Sequence, residues 1–287
     1  MLVYISSYLR SGNSLMQNLI RNFFARPISG VESNSKLIRT KFAKNWRYNG
    51  QTLPNSQEEL QSISLKLNRQ ILSRWNRYIF KTYDINKWVV EYALDLSPYS
   101  KNCRCLLPGC QNILTDRNRQ KLANDCNYFF IKTHNPPFLE YFDNEYVLQI
   151  VRHPSLVFES YFHFLSKYIN RHKTLDEVIM GQVPYGSWSD WHQQWERAMS
   201  VVNGKFLRLR FEDILLDTLI ACQQIKELIG LDYDSTQTLT SFSELKQRDS
   251  SYYRSGDTES IDCYNRSESF KLLQKLHAAT IASLGYE

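Results

Sequence analysis

The sequence predicts an α/β fold built on a mostly parallel central sheet with helices on both faces. Two observations carry that expectation: short apolar, β-rich runs that each end in a polar turn, and segments of helical periodicity between those runs. The first run, Leu2 to Tyr8, reads as a strand and breaks at Arg10-Ser11-Gly12-Asn13-Ser14. Leu15, Leu19 and Phe23 then recur at helical spacing, with Met16 and Ile20 widening the stripe. Ala25 to about Asn68 contains Pro27, Gly30, Gly50 and Pro54 among scattered aromatics, and reads as a long excursion rather than regular core. Helices are expected within Leu65 to Tyr78 and Asp84 to Leu96. A second strand, Tyr128 to His134, is stopped by Asn135-Pro136-Pro137. A third, Tyr146 to Arg152, stops at His153-Pro154 before a helix over Ser155 to Ile169. A fourth, Lys205 to Arg210, leads through Phe211-Glu212-Asp213 to a helix over Thr218 to Ile229.

Composition is that of a folded protein: 287 residues, 43% hydrophobic, with 10 Gly and 8 Pro. A mainly disordered, collagen-like or small disulfide-stapled chain is excluded on those grounds. The 35 Lys plus Arg exceed 29 Asp plus Glu, and the net charge of +6 suits an anionic partner without choosing one. No run approaches a membrane span, and the apolar start is too short for a signal peptide, so a cytoplasmic setting is expected. Three of six cysteines crowd into Cys103, Cys105 and Cys110, which lack a second well-spaced pair and read as a structural loop. Trp188, Trp191 and Trp195 recur at helical spacing and read as a helix face in the core.

Polar residues gather where strands run out. Arg10, Ser11, Gly12, Asn13 and Ser14 combine a cation, hydroxyls, a flexible glycine and the open amides of a following helix, a set able to hold phosphate or to cap the helix. The Gly-Lys-Ser or Gly-Lys-Thr ending of a Walker A loop is absent, which argues against ordinary P-loop nucleotide hydrolysis. At the second strand end, Lys132 and His134 share side-chain parity if the extended geometry continues. His134 can take a proton and Lys132 can stabilise developing negative charge. Arg152, Ser160 and the segment Tyr253-Arg254-Ser255-Gly256 supply further anion-compatible groups.

These pieces, in this order, resemble the sulfotransferase family that uses 3'-phosphoadenosine 5'-phosphosulfate (PAPS). Tyr8 to Ser14 resembles its 5'-phosphosulfate loop, Lys132-Thr133-His134-Asn135-Pro136 its catalytic strand end, and Val151 to Phe164 its 3'-phosphate element. The resemblance spans roughly residues 2 to 287 and implies one P-loop-like nucleotide sulfotransferase domain over 1–287, with a variable acceptor-side excursion at about 25–125. It implies that Arg10, Ser11, Gly12, Asn13 and Ser14 surround the 5'-phosphosulfate, that Arg152, Ser160, Arg254, Ser255 and Gly256 surround the 3'-phosphate, and that Phe211, Thr240 and Phe242 lie near the adenine. Sulfuryl transfer to an acceptor hydroxyl would leave 3'-phosphoadenosine 5'-phosphate (PAP). In that reaction His134 is the base, Lys132, Arg10 and Ser14 stabilise charge, and no metal is required.

Several positions depart from the family pattern. Arg10 stands where Lys is frequent, Leu15 where an aromatic is, and Ser255 where a second basic residue is; Phe211 lacks the hydroxyl of the usual Tyr. Asp257-Thr258-Glu259-Ser260-Ile261 replaces the familiar Gly-Asp-Trp-Lys continuation. The expected acceptor is a hydroxyl-bearing small molecule. A polysaccharide or tyrosyl-peptide acceptor is the enzymatic alternative, and a catalytically silent phosphoadenosine- or nucleic-acid-binding protein is the alternative of another class. A nucleic acid partner is not expected, because no continuous basic track is evident. The sequence leaves oligomeric state open.

Overall fold

A computed structural model describes residues 1–26, 28–31, 88–92, 104–108, 119–120, 123–124, 128–134, 136–168, 173–183, 185–203, 205–248 and 268–286. Its central sheet has the strand order β2-β5-β1-β6-β7, with β1 Leu2–Ser6, β2 Ile28–Val31, β5 Phe129–Thr133, β6 Glu145–Val151 and β7 Phe206–Arg210. Every pairing in it is parallel. A separate antiparallel pair joins β3, Trp88–Tyr92, to β4, Arg104–Pro108. The helices are α1 Asn13–Phe23, α2 Pro154–Tyr168, α3 Leu175–Ile179, α4 Trp188–Ala198, α5 Phe211–Leu216, α6 Thr218–Ile229, α7 Phe242–Arg248 and α8 Glu268–Ser283.

Strand alternation feeds two hydrophobic layers. Leu2, Tyr4, Phe129, Ile131, Val147 and Val151 pack with α2, α3, α4 and α8 on one face. Val3, Ile5, Phe130, Leu148, Ile150 and Leu209 pack with α1, α5 and α6 on the other. The helical stripe read from the sequence enters this second layer through Met16, Leu19, Ile20 and Phe23, with Leu15 half-buried beside it. The tryptophan trio of α4 is in the first layer, each ring nearly inaccessible. At the amino end of β6, Glu145 is buried under Arg119 and accepts a 2.6 Å bond from the Tyr4 hydroxyl. That pair fastens residues near 119 to the sheet far from the strand ends that carry the polar turns.

Three expectations need correction. Asp84 to Leu96 does not form a helix through Trp88–Tyr92, which is strand β3; Val89, Val90 and two aromatics favour an extended chain once β4 supplies a partner. Arg104–Pro108, inside the segment read as a cysteine loop, is that partner strand, and Cys105 stands opposite Glu91. Ile28–Val31, placed in the excursion, is an edge strand of the central sheet paired to β5. The expected helix at Leu65 to Tyr78, and Cys103 and Cys110, lie outside the described residues.

Candidate functional site

Parallel register brings the strand ends together. Ser6 stands opposite both Thr133 and Gln149, and Val151 opposite Arg210. The next residues, Ser7, His134, Arg152 and Phe211, therefore emerge along one rim of the sheet. This rim is at the carboxyl ends of the strands, where chain crossings to opposite sides of β1 open a crevice.

The turn after β1 closes through a Ser11 N–H to Tyr8 carbonyl bond of 3.2 Å. Arg10 sits there at φ 70° and Gly12 at φ 103°. The left-handed region is open to glycine but strained for arginine, at a cost of about 1 kcal/mol or more. Gly12 precedes α1 without a side-chain cap, so the first amides of that helix face the rim. A Cβ on Gly12 would stand 2.5 Å from Phe211 Cδ2 and 2.9 Å from Ile150 Cδ1. The loop is thus pressed against Phe211, and only a bare Cα fits. Ser11 is fully buried with no hydrogen-bond partner for its Oγ.

Cations stand after two of the strands, Arg10 after β1 and Arg152 after β6. Arg10 Nε donates to Ser160 Oγ of α2 at 3.0 Å, and its guanidinium lies 5.2 Å from the Phe164 ring centroid. Arg152 lies with its guanidinium 4.3 Å over the Phe211 ring, and its buried Nε has no hydrogen-bond partner. Burial, and to a smaller extent Arg10, lowers the Arg152 pKa, while Glu212 opposes the shift. Gly12, Phe211 and Arg152 form one stack, with Arg10 and Ser160 alongside.

His134 follows β5 and is buried. Its Nδ1 is 2.8 Å from the Ser7 carbonyl oxygen, which only accepts, so Nδ1 carries the proton and Nε2 is the basic nitrogen. The Ser7 hydroxyl in turn accepts a 3.0 Å bond from Asn13 Nδ2. Trp191 Nε1 donates to the His134 carbonyl at 3.0 Å, and the Tyr185 ring stands edge-on at 5.6 Å. Burial and then Lys132 push the His134 pKa down from 6.5 to about 3, Arg10 adding to the effect and the Ser7 bond resisting it. The imidazole is therefore neutral at physiological pH with Nε2 unprotonated, and its proton affinity rises as negative charge nearby offsets Lys132 and Arg10. Strand β5 ends at Thr133, so parity does not carry through to His134; its position comes from Ser7, Tyr185 and Trp191.

A sulfotransferase domain model matches residues 2–275. The chain belongs to the sulfotransferase family. Its fold is similar to that of a mouse sulfotransferase complexed with PAP, at 15% identity and a TM-score of 0.52 over 98% of this chain and 84% of that one. It is also similar to a retinol dehydratase in complex with androsterone and inactive cofactor PAP, at 17% identity and a TM-score of 0.52 over 100% of this chain and 82% of that one. No curated protein matches the sequence.

Within this sulfotransferase domain, Arg10 to Ser14, Lys132, His134, Arg152, Ser160 and Phe211 all belong to the carboxyl-end rim or its flanking helices. Thr240 bonds Asn18 Oδ1 of α1 through its hydroxyl at 3.1 Å, and Phe242 opens α7. Arg254, Ser255 and Gly256 lie outside the described residues. The sequence reading missed the partners that orient the site: Ser7, Tyr185, the indole of Trp191, Glu212 and Tyr286. No local pattern marks them, because each acts on a residue distant in the chain. Among the described residues there is no group of three or more His, Cys, Asp or Glu able to hold a metal, and no helix long and apolar enough to cross a membrane.

Proposed function

We propose that this sulfotransferase-family chain transfers the sulfuryl group of PAPS to the hydroxyl of a small-molecule acceptor, by in-line, metal-independent transfer. The observation that carries the reading is the convergence of a neutral buried histidine with the Gly12 turn and the cations Arg10, Lys132 and Arg152 on one rim. The donor fits what the chain offers. Ser11 Oγ and Arg152 Nε are buried polar atoms without protein partners, and the Gly12 cradle excludes a side chain where backbone amides face the rim. PAPS, when bound, supplies the sulfuryl group and a phosphate leaving group.

The roles of the chain's own residues follow. The turn Arg10-Ser11-Gly12-Asn13-Ser14 binds the 5'-phosphosulfate through backbone amides, hydroxyls and the Arg10 charge. Asn13 contributes its amide N–H, since its side chain already joins Ser7 and Gln17. Arg152 and Ser160, with Arg254, Ser255 and Gly256, bind the 3'-phosphate, and Phe211, Thr240 and Phe242 flank the adenine. His134 Nε2 takes the acceptor proton as the new O–S bond forms and the S–O bond to the phosphate breaks. Lys132, Arg10 and Ser14 stabilise the charge that grows on the transferred group and leaving phosphate. Two cations, Arg10 and Lys132, offer there the positive charge that a metal would otherwise provide. The Tyr185 ring beside His134 suits an acceptor with an apolar body next to its hydroxyl.

Titration calorimetry with PAP tests the donor half: micromolar binding is expected, and absence of heat with folded protein would sink the enzyme reading. Incubation with labelled PAPS and a mixed hydroxyl library, followed by mass spectrometry, tests the other half. A sulfate added to small molecules supports the acceptor class. Transfer only to polysaccharide or to tyrosyl peptides would replace it, and PAP binding without any transfer would mark a silent nucleotide-binding protein.

A further inference from the structure

Arg152 has an acidic neighbour that does not pair with it. Glu212 follows the Phe211 ring on which the guanidinium lies, and its charge is the leading influence that favours the protonated Arg152. Among the described residues, Arg152 nonetheless forms no ion pair, and its Nε has no hydrogen-bond partner. The Glu212 carboxylate is engaged elsewhere on both oxygens. Oε1 accepts from the His153 backbone N–H at 3.0 Å, and Oε2 from the Tyr286 hydroxyl at 2.8 Å. Tyr286 is itself held: it is buried, its ring is edge-on to His153 at 5.4 Å, and the Arg210 guanidinium lies 4.3 Å over it. A free carboxylate beside a buried guanidinium would form a charge-assisted, often two-pronged pair with it. Such a pair would compete directly with any phosphate.

We propose that Tyr286 is a positioning residue that acts through Glu212: by holding the carboxylate against His153 it keeps the Arg152 guanidinium open to the anionic nucleotide. The role rests on the reading of Arg152 as a donor ligand. Removal of the Tyr286 hydroxyl releases one oxygen of Glu212, which turns onto Arg152 and neutralises it. Removal of the Glu212 charge makes the hydroxyl unnecessary for binding.

The test compares wild type, Tyr286→Phe, Glu212→Gln and the double variant by PAP calorimetry and by NMR of the arginine Nε–H signals, Arg152 being assigned by its loss in Arg152→Lys. Tyr286→Phe keeps the ring and is expected to weaken PAP binding about tenfold, as loss of one charge-assisted contact would, and to shift the Arg152 signal toward that of a paired guanidinium. The double variant is expected to bind within about twofold of Glu212→Gln and to show no such shift. If Tyr286→Phe weakens binding equally with and without Glu212→Gln, Tyr286 acts by packing alone and the inference is overturned. An unchanged Arg152 signal in Tyr286→Phe overturns it as well, whatever PAP does. Absence of PAP binding in wild type strikes the functional reading, while the NMR comparison still decides the carboxylate's position.

Discussion

The neutrality of His134 can be measured as a pH dependence of stability. Its pKa lies near 3 in the folded chain against an ordinary 6.5, so the unfolded chain binds the extra proton first. The stabilisation is fully present above 6.5, falls as pH drops below it, and stops changing below the folded value. Each unit within that window costs up to about 1.4 kcal/mol for one histidine, so His134 alone withdraws roughly 2–3 kcal/mol between pH 7 and pH 4.5. His192 and His277 are also buried with lowered pKa values and add to the acid sensitivity. They are common to wild type and to His134→Asn, whose side-chain amide can still donate to Ser7, so the difference between the two isolates His134. Urea unfolding at pH 7, 6, 5 and 4.5 should give a wild-type stability curve steeper by about 1.4 kcal/mol per unit below 6.5. Parallel curves would mean that His134 titrates alike in both states, and would remove the neutral base from the site. Saturating PAP should flatten the wild-type slope, because phosphate beside Arg10 and Lys132 offsets the two cations that depress the histidine.

Other perturbations reach separate parts of the site and scaffold. His134→Ala should lower turnover by about 10²–10⁴ while PAP affinity holds, the size of effect a general base contributes; equal turnover in a labelled-sulfate assay would reject that role. Arg152→Ala should weaken PAP binding by about tenfold or more in calorimetry, with acceptor KM little changed, because a charged hydrogen bond is lost at the nucleotide alone. Gly12→Ala should cost about 1–3 kcal/mol from its φ of 103° and the 2.5 Å approach to Phe211. In a Phe211→Ala background only the steric part should be relieved, and strict additivity of the two changes in urea unfolding would contradict the contact. Glu145→Gln should cost about 3–5 kcal/mol by leaving Arg119 charged and buried, read as a lower thermal midpoint with PAP affinity retained.

What the sequence determined by itself is local. Runs such as Phe129-Phe130-Ile131 and Tyr146-Val147-Leu148 read as strands of a covered parallel sheet, and the helix expected over Thr218 to Ile229 forms there. Arg10-Ser11-Gly12-Asn13-Ser14 reads as a polar turn able to hold an anion or to cap the helix, because its chemistry sits within five consecutive residues. The core reading of Trp188, Trp191 and Trp195 rests on spacing alone and agrees with their burial. Where a segment's state depends on a partner, the same reasoning stops short: β2 and β3 take their extended form from β5 and β4, which periodicity within each segment does not contain.

Only tertiary structure decided which groups orient the chemistry. The tautomer of His134 is set by the Ser7 carbonyl across the β1 and β5 register, and its backbone is held by an indole that the sequence assigned to the core. Glu212 is close in sequence to Arg210 and Phe211, yet its two oxygens are claimed by His153 and Tyr286, one from the next strand end and one from beyond α8. A single chain read residue by residue carries charge and hydrogen-bonding capacity. It does not carry the distances, and pKa and hydrogen-bond direction depend on distance and burial.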